Sequence, residues 1–284
     1  MDSKRINRSK IRNTIKHLLL ILLGIVMVYP LVWLFFGSFK TNNEIFSSIR
    51  LLPEHFNLDG FINGWKGSKQ IGFDTYLKNS ALLVIPTVIL CMISSALVAY
   101  GFARFNFRGN KILFSIMLAT MMLPDTVIVI PRYMIFRDLG WLNTNLTFYI
   151  PAALATNAFY TFMIYQFFRS LPRDLDEAAM IDGLGPAGIF FRILLPLIKP
   201  AVITAGLLMF IWVWNDFFNC LIYFTSVEKY PVSLGLRMMV DTDSLSAWNE
   251  VMAMSVVCML PPTIVYFMSQ KYFVEGIVTT GMKN

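Results

Sequence analysis

Residues 171–183 read Leu171-Pro-Arg-Asp-Leu-Asp-Glu-Ala-Ala-Met-Ile-Asp-Gly183, a polar stretch set between two long apolar runs. Asp174 followed three residues later by Glu177 is a capping box of the D-x-x-E kind and predicts a helix start. Asp174, Asp176 and Glu177 crowd its first turn, where carboxylates suit the positive end of the helix dipole. Gly183 and Gly185 predict the stop, so the helix is short, about two turns. Ala178 and Ala179 are small enough to let a partner surface approach one side closely. Pro186 then fits the first turn of a second helix through Ile189, Phe190, Ile193 and Leu194, and Pro196 and Pro200 punctuate the entry into the next apolar run.

Outward from this segment the chain is strongly apolar. Of its 284 residues, 56% are hydrophobic and 14% charged, and the mean hydropathy is +0.61. Soluble domains carry about 25% charged residues. This chain cannot coat a water-facing surface, which excludes a soluble enzyme or a disordered segment. Six runs are long enough to cross about 30 Å of hydrocarbon as helices: 18–37, 79–102, 112–130, 146–168, 201–224 and 251–268. The runs are continuous rather than alternating, so helices are expected and a β-barrel is not.

Charge orients the spans. With the N-terminus inside, the inner segments hold fifteen Lys and Arg and the outer ones nine. The basic excess flanking the first run, from Lys4 to Lys16, is the strongest local bias, so both termini are expected to be cytoplasmic. The organisation expected is a cytoplasmic segment 1–17, an uncleaved anchor helix 18–37 and an extracytoplasmic loop 38–78. A five-span core 79–268 follows, containing the cytoplasmic loop 169–200, and then a cytoplasmic tail 269–284. The net charge of +7 is a topogenic label rather than a nucleic-acid footprint. Cys91, Cys220 and Cys258 fall in apolar runs and read as packing residues, and His17 and His55 have no partner motif, so no zinc or Ser-His-Asp centre is expected.

Polar side chains inside the runs are costly and usually face a bundle interior or a watery path. Asp125 lies near the outer end of the third run and reads as interfacial. Trp212, Trp214, Asn215 and Asp216 combine aromatic faces, an amide and a carboxylate, the mixture that binds sugars by stacking and by hydrogen bonds to hydroxyls. They are candidate path residues, with Asn157 and Tyr160 on the fourth run as weaker ones. Contact with a partner helix would equally explain Asn215.

Glu177-Ala178-Ala179, Gly183 and Ile193-x-Leu195-Pro196 together resemble the EAA loop of ATP-binding cassette (ABC) importer permeases. The fuller form from Glu177 to Gly183 is similar to the carbohydrate branch. Tyr100-Gly-Phe-Ala-Arg104, Met121-Met-Leu-Pro124, Ile130-Pro131, Trp214-Asn215-Asp-Phe217 and Gln270-Lys-Tyr-Phe-Val-Glu-Gly276 extend the resemblance along nearly the whole chain, as do Tyr29-Pro30 and Ser38-Phe39-Lys40. The maltose-type permeases, second member of a six-span pair, are the branch it resembles most. The resemblance implies an all-α integral membrane protein of the type I importer fold in a bacterial cell membrane. It implies ATPase coupling through Asp174, Glu177, Ala178, Ala179, Asp182 and Gly183, and a C-terminal motif at Gln270, Tyr272, Glu275 and Gly276. The implied partners are a homologous second permease, two cytoplasmic ATPases, an extracytoplasmic solute-binding protein, a carbohydrate substrate and membrane lipid.

No G-x-x-x-x-G-K-[ST] occurs, nor any Gly-Lys pair, so ATP and Mg are expected on the ATPase subunits and no cofactor on this chain. Two rivals remain at this level. One is a permease of the same fold for amino acids, phosphate or another anion, which a basic residue lining the path would favour; no such residue is evident inside a run. The other is a membrane-bound enzyme, which two lone histidines and the lack of paired intramembrane carboxylates disfavour.

Overall fold

The computed structural model describes residues 2–67, 71–240 and 247–281, with side chains described over 13–67, 71–240 and 247–272. Among the described residues every regular element is helical. Three helices are long and apolar enough to cross a membrane unbroken: α1 (Asp2–Gly37) in its part Asn13–Gly37, α4 (Phe73–Arg104), and α15 (Trp248–Gly281) in its part Trp248–Tyr272. Between α1 and α4 the expected irregular loop contains two short helices, α2 (Asn42–Ser47) and α3 (Asp59–Trp65).

The other three runs are broken rather than straight. The third becomes α5 (Asn110–Thr120) and α6 (Asp125–Asp138), bent by 103°. Pro124 supplies no N–H and sits in extended backbone (φ −61, ψ 134), which ends one helix and starts the next. The fourth becomes α7 (Leu146–Ala153) and α8 (Ala158–Ser170), with Ala155 at φ 53 between them and the Asn157 side chain accepting from the Phe159 N–H at 3.3 Å as a cap. The fifth becomes α12 (Lys199–Trp214) and α13 (Phe218–Tyr223). There Asn215 Nδ2 donates back to the Ile211 carbonyl (2.8 Å) and Asp216 Oδ1 accepts from the Asn219 N–H (3.0 Å), local bonds that compete with the helical ladder. Counting each bent pair as one span gives up to five crossings by length and composition.

Between α8 and α12 lie α9 (Asp174–Ile181) and a helical run from Pro186 to Leu197. That run consists of α10 (Pro186–Gly188), a π-helical segment Ile189–Leu194, and α11 (Leu195–Leu197), and it bends by 75° into α12. Pro196, which cannot donate, follows directly on the widened turn. The helix expected after Pro186 is therefore present, with a π segment in its middle. The segment 225–235 is not a free loop. A 3-10 turn (Val227–Lys229) and the start of α14 (Val232–Met239) are tied to α4 by Asn79 Nδ2 donating to the Glu228 and Tyr230 carbonyls (2.7 and 3.0 Å). Ser80 Oγ also accepts from the Val232 N–H (2.8 Å).

The chain divides into two compact units, 1–73 with 236–258, and 74–235 with 259–284. In the first, the rings of Phe35, Phe39, Phe56 and Phe61 cluster at 5.3–5.7 Å, and Lys40, 3% exposed, donates to the Arg50 carbonyl. The apolar stretch of α1 is otherwise uncovered, as a lipid-facing helix is. The second unit buries Leu83, Cys91, Ile164, Phe168, Leu194 and Ala205. All three cysteines are buried and unbridged, in keeping with packing roles.

Within the first unit the backbone packs closely at Gly60, where a Cβ would lie 2.8 Å from the Asn249 carbonyl and 3.0 Å from that of Ser38. Gly60→Ala is expected to lower the thermal midpoint of the purified protein, by about 1–3 kcal/mol of overpacking. Gly24→Ala, in a helix interior with nothing within 4 Å of the added Cβ, should not lower it.

Candidate functional site

The short polar helix α9 is anchored at both ends to the end of α4. Arg104, in the last turn of α4, brings Nε within 3.1 Å of Asp176 Oδ2, with the two side chains 7% and 10% exposed. The approach is off the line of a hydrogen bond, so charge rather than directionality holds the pair. Both Arg104 Nη atoms donate to the Leu171 carbonyl at 3.3 Å, gripping the chain as it enters α9. One turn earlier Tyr100 donates its hydroxyl to the Pro186 carbonyl at 3.0 Å, just after α9 ends. The Tyr100 ring packs against Phe105, Phe168 and Phe190 at 5.2, 5.7 and 5.0 Å.

The helix ends as the glycines suggested. Gly183 adopts φ +81, its N–H meets the Met180 carbonyl (3.0 Å), and the Leu184 N–H meets that of Ala179 (3.0 Å). This is a Schellman cap. Its start differs from expectation. The cap position is Arg173 and no side chain caps it, because the helix begins one residue early and puts Asp174 inside the first turn. The D-x-x-E box is therefore not formed, and the acids act on the helix dipole alone. The two alanines also part company. Ala179 is buried (4% exposed) beside Asp176, whereas Ala178 faces outward. The outward face carries Asp174, Glu177, Ala178, Asp182, and the apolar Met180 and Ile181, the last 87% exposed. Asp176 was not among the expected site residues. Its inward face was readable, since Asp176, Ala179 and Gly183 follow the i, i+3, i+7 helical spacing.

The candidate path residues do not form one face. Trp212 is 64% exposed and Asn215 is exposed, whereas Trp214 is buried and stacks on Phe210 (5.6 Å, 15°). Tyr160 is buried and Asn157 is the cap of α8. Asp216 belongs to a polar cluster around Arg132 of α6. Arg132 donates to Asp125 Oδ1 (3.1 Å), Asp125 Oδ2 (3.4 Å), Asn219 Oδ1 (3.0 Å) and the Tyr223 hydroxyl (2.9 Å). Asn219 Nδ2 in turn donates to Asp216 Oδ2 (2.9 Å). Asp125 is thus the partner of a cation, and that cation lies on the third apolar helix pair rather than in a loop, because α6 continues past Ile130 through Pro131 to Asp138. In the C-terminal motif, the Tyr272 ring meets Lys199 Nζ (5.9 Å) and Lys271 Nζ (4.8 Å), and Gln270 is exposed. The motif lies on α15, which runs as helix through the stretch expected to be a tail, and the surroundings of Glu275 and Gly276 lie outside what the structure describes.

Replacing Asp176 by Leu strips the buried Arg104 of its counter-charge. The change should destabilise the docking of α9 by about 3–5 kcal/mol, while the double change R104M/D176L recovers much of the loss. Limited proteolysis within 171–186 reads the difference, with Asp176→Leu cut fastest.

Comparison with known proteins follows the same helices. The family described as binding-protein-dependent transport system inner membrane component matches residues 93–278. The diacetylchitobiose uptake system permease protein NgcG of Streptomyces coelicolor is 32% identical over 268 residues, 94% of this chain and 87% of that protein. The sn-glycerol-3-phosphate transport system permease protein UgpE of Agrobacterium fabrum is 31% identical, covering 97% and 99%. The trehalose/maltose transport system permease protein MalG of Thermococcus litoralis is 30% identical, covering 93% and 94%. Among solved structures, a chain of a bacterial ABC transporter involved in import of the acidic polysaccharide alginate superposes with a TM-score of 0.83 at 26% identity, covering 93% of this chain and 97% of that one. The matched stretch contains the end of α4, the anchored α9, both bent pairs and most of α15, and the chain belongs to the inner-membrane components of binding-protein-dependent transport systems: a multi-pass transport subunit, not the ATPase.

Proposed function

We propose that the chain is a six-crossing permease that forms half of a carbohydrate path and receives the stroke of a separate ATPase through α9. The observation that carries this reading is the two-sidedness of α9. Asp176 and Ala179 are locked inward against α4, while Glu177, Met180 and Ile181 are presented outward on a helix fixed before and after. A surface that grips the outward face and moves would carry α4 and the run from Pro186 with it, because the anchors lie on the spans themselves. The outward residues Asp174, Glu177, Ala178, Asp182 and Gly183 are the proposed coupling set, with Ala179 as its packed underside.

In this reading α1, α4, α15, the two bent pairs and α7–α8 are the six crossings, and the Lys/Arg asymmetry puts both termini and α9 in the cytoplasm. The segments are then the cytoplasmic 1–17 and 269–284, the anchor 18–37, the outer loop 38–78 and the core 79–268. The working assembly has a homologous second permease, two ATPases that hold ATP and Mg, and a binding protein that docks on the outer segments 38–78 and 225–250. This chain binds no cofactor of its own.

The relatives named for diacetylchitobiose and for trehalose and maltose favour a sugar. The relative named for sn-glycerol-3-phosphate favours a phosphorylated polyol instead. Arg132 supports the sugar, since its charge is taken up by Asp125 and further donors are engaged by Asn219 and Tyr223. Trp212 and Asn215, both exposed, supply a stacking face and an amide for a sugar ring.

Gly183→Val tests the coupling role. Nothing lies within 4 Å of the added Cβ, but φ +81 is strained for a branched residue, so the change spoils the helix stop without a clash. Whole-cell uptake of the substrate should be lost while the complex still assembles, and uptake at the wild-type rate would refute the coupling role. For the path, Trp212→Ala should raise the half-saturating sugar concentration of the reconstituted ATPase severalfold, and an unchanged value removes Trp212 from the path.

A further inference from the structure

We propose that a pocket where the end of α4, the start of α5 and the end of α8 meet is a binding site for a membrane phospholipid with an anionic headgroup. The pocket has a volume of about 790 Å³. Its lining includes three cations, Lys111, Arg169 and Arg173, and no Asp or Glu. Among the described residues no ion pair to a carboxylate involves any of the three. Arg169 is pre-positioned: Nη1 donates to the Tyr165 hydroxyl at 3.2 Å, and its guanidinium carbon lies 5.9 Å from the centre of the Tyr165 ring. Lys111 projects from the first turn of α5, whose unpaired N–H groups add a positive helix end on the same side.

The other wall is aromatic. Phe102, Phe114 and Tyr165 form a continuous surface with ring centres 5.5 Å and 4.5 Å apart. It leads onto an uncovered apolar strip of α5, where Ile112, Leu113 and Ile116 are 68%, 50% and 55% exposed. Cations at the end of the spans and rings and aliphatic side chains farther along them reproduce the order of a phospholipid, headgroup above acyl chain. Basic pockets between membrane helices on the cytoplasmic side bind such headgroups. A free phosphate would satisfy the cations but leave the aromatic wall and Ile112 uncovered, and a lipid covers both. The headgroup would also touch Arg173, the residue from which α9 starts. The choice of an anionic inner-leaflet lipid rests on the cytoplasmic placement of this end proposed above.

The test is native mass spectrometry of the assembled complex, titrated with dioleoyl phosphatidylglycerol, dioleoyl phosphatidylcholine or inorganic phosphate. The wild type should retain phosphatidylglycerol in preference to phosphatidylcholine. At about a factor of five or more for each surface cation, K111Q/R169Q/R173Q should retain it roughly a hundredfold more weakly. The charge-keeping K111R/R169K/R173K should hold it. Should the neutral variant not assemble, the wild type decides alone, because 1 M salt should release phosphatidylglycerol without splitting the complex. Equal retention of the two lipids, or an unchanged neutral variant, overturns the proposal. Displacement of the lipid by millimolar inorganic phosphate would make it a free-anion site, and efficient cross-linking to the second permease of a photoreactive maleimide attached at Ile112→Cys would make it a protein interface; either also overturns it. The readout is a lipid count and needs no transport, so a failure of the sugar-carrying role leaves it interpretable, and a failure of lipid retention leaves the transport assignment standing.

Discussion

A single buried ion pair sets the mechanical character of this subunit. Arg104 and Asp176 are both almost fully withdrawn from solvent, at the point where the long helix α4 meets the short polar helix α9. Desolvating two charges is expensive, and the attraction between them roughly repays the cost only while both are present. The pair therefore contributes little net stability, and what it contributes is positional: α9 can leave α4 only by exposing an unpaired charge to a low-dielectric surrounding. The bonds from Arg104 to Leu171 and from Tyr100 to Pro186 fix the chain on either side. The result is a rigid lug where sequence length alone would permit a floppy loop of 32 residues between apolar runs 146–168 and 201–224.

The second polar assembly applies the same physics to another break. Pro124 interrupts the third run and Asp216 the fifth; the first break presents Asp125 directly to the guanidinium of Arg132, and the second presents Asp216 to it through Asn219. The freed Asp216 carbonyl accepts from Ser233 Oγ at 3.1 Å, so the backbone group released by the interruption is not left bare. Irregular backbone at membrane depth is tolerated where such partners exist. The broken helices and the charges beside them are thus one feature: the charges stabilise the interruptions, and the interruptions bring the charges together.

Much of this was legible in the sequence and some was not, for definable reasons. The straight spans were readable because continuous apolar length is a strong signal, and α1, α4 and α15 cover the first, second and sixth runs. The Gly183 stop was readable because only a residue tolerant of positive φ fits there. The breaks at 121–124, 154–157 and 215–217 were not, because hydropathy averages over them; the local marks were present in Pro124, Asn157 and Asp216, but such residues also occur in unbroken helices. The capping box failed for a smaller reason, a one-residue shift of the helix start to Arg173. The partnership of Arg104 with Asp176 joins residues far apart in the chain, and no local pattern announces it. The Arg132 cluster has no signature in hydropathy, because the third apolar run ends at Ile130 and Arg132 lies beyond it in sequence.

The short helices α7 and α8 bear on how the protein is made. At 1.5 Å per residue, their 8 and 13 residues reach about 12 and 20 Å, and neither alone matches a hydrocarbon layer of about 30 Å. A nascent chain leaving the ribosome would offer the insertion machinery a fourth segment that, in its final form, is incapable of standing in lipid by itself. Its residence there depends on neighbours, such as Ser94 of α4, whose hydroxyl donates to the Ala152 carbonyl at 2.6 Å. During biogenesis the segment must either pass the bilayer as a longer, straighter helix that later breaks, or wait beside the translocon until α4 is present to receive it. On either route the broken form of this segment is reached only once α4 is there to receive it.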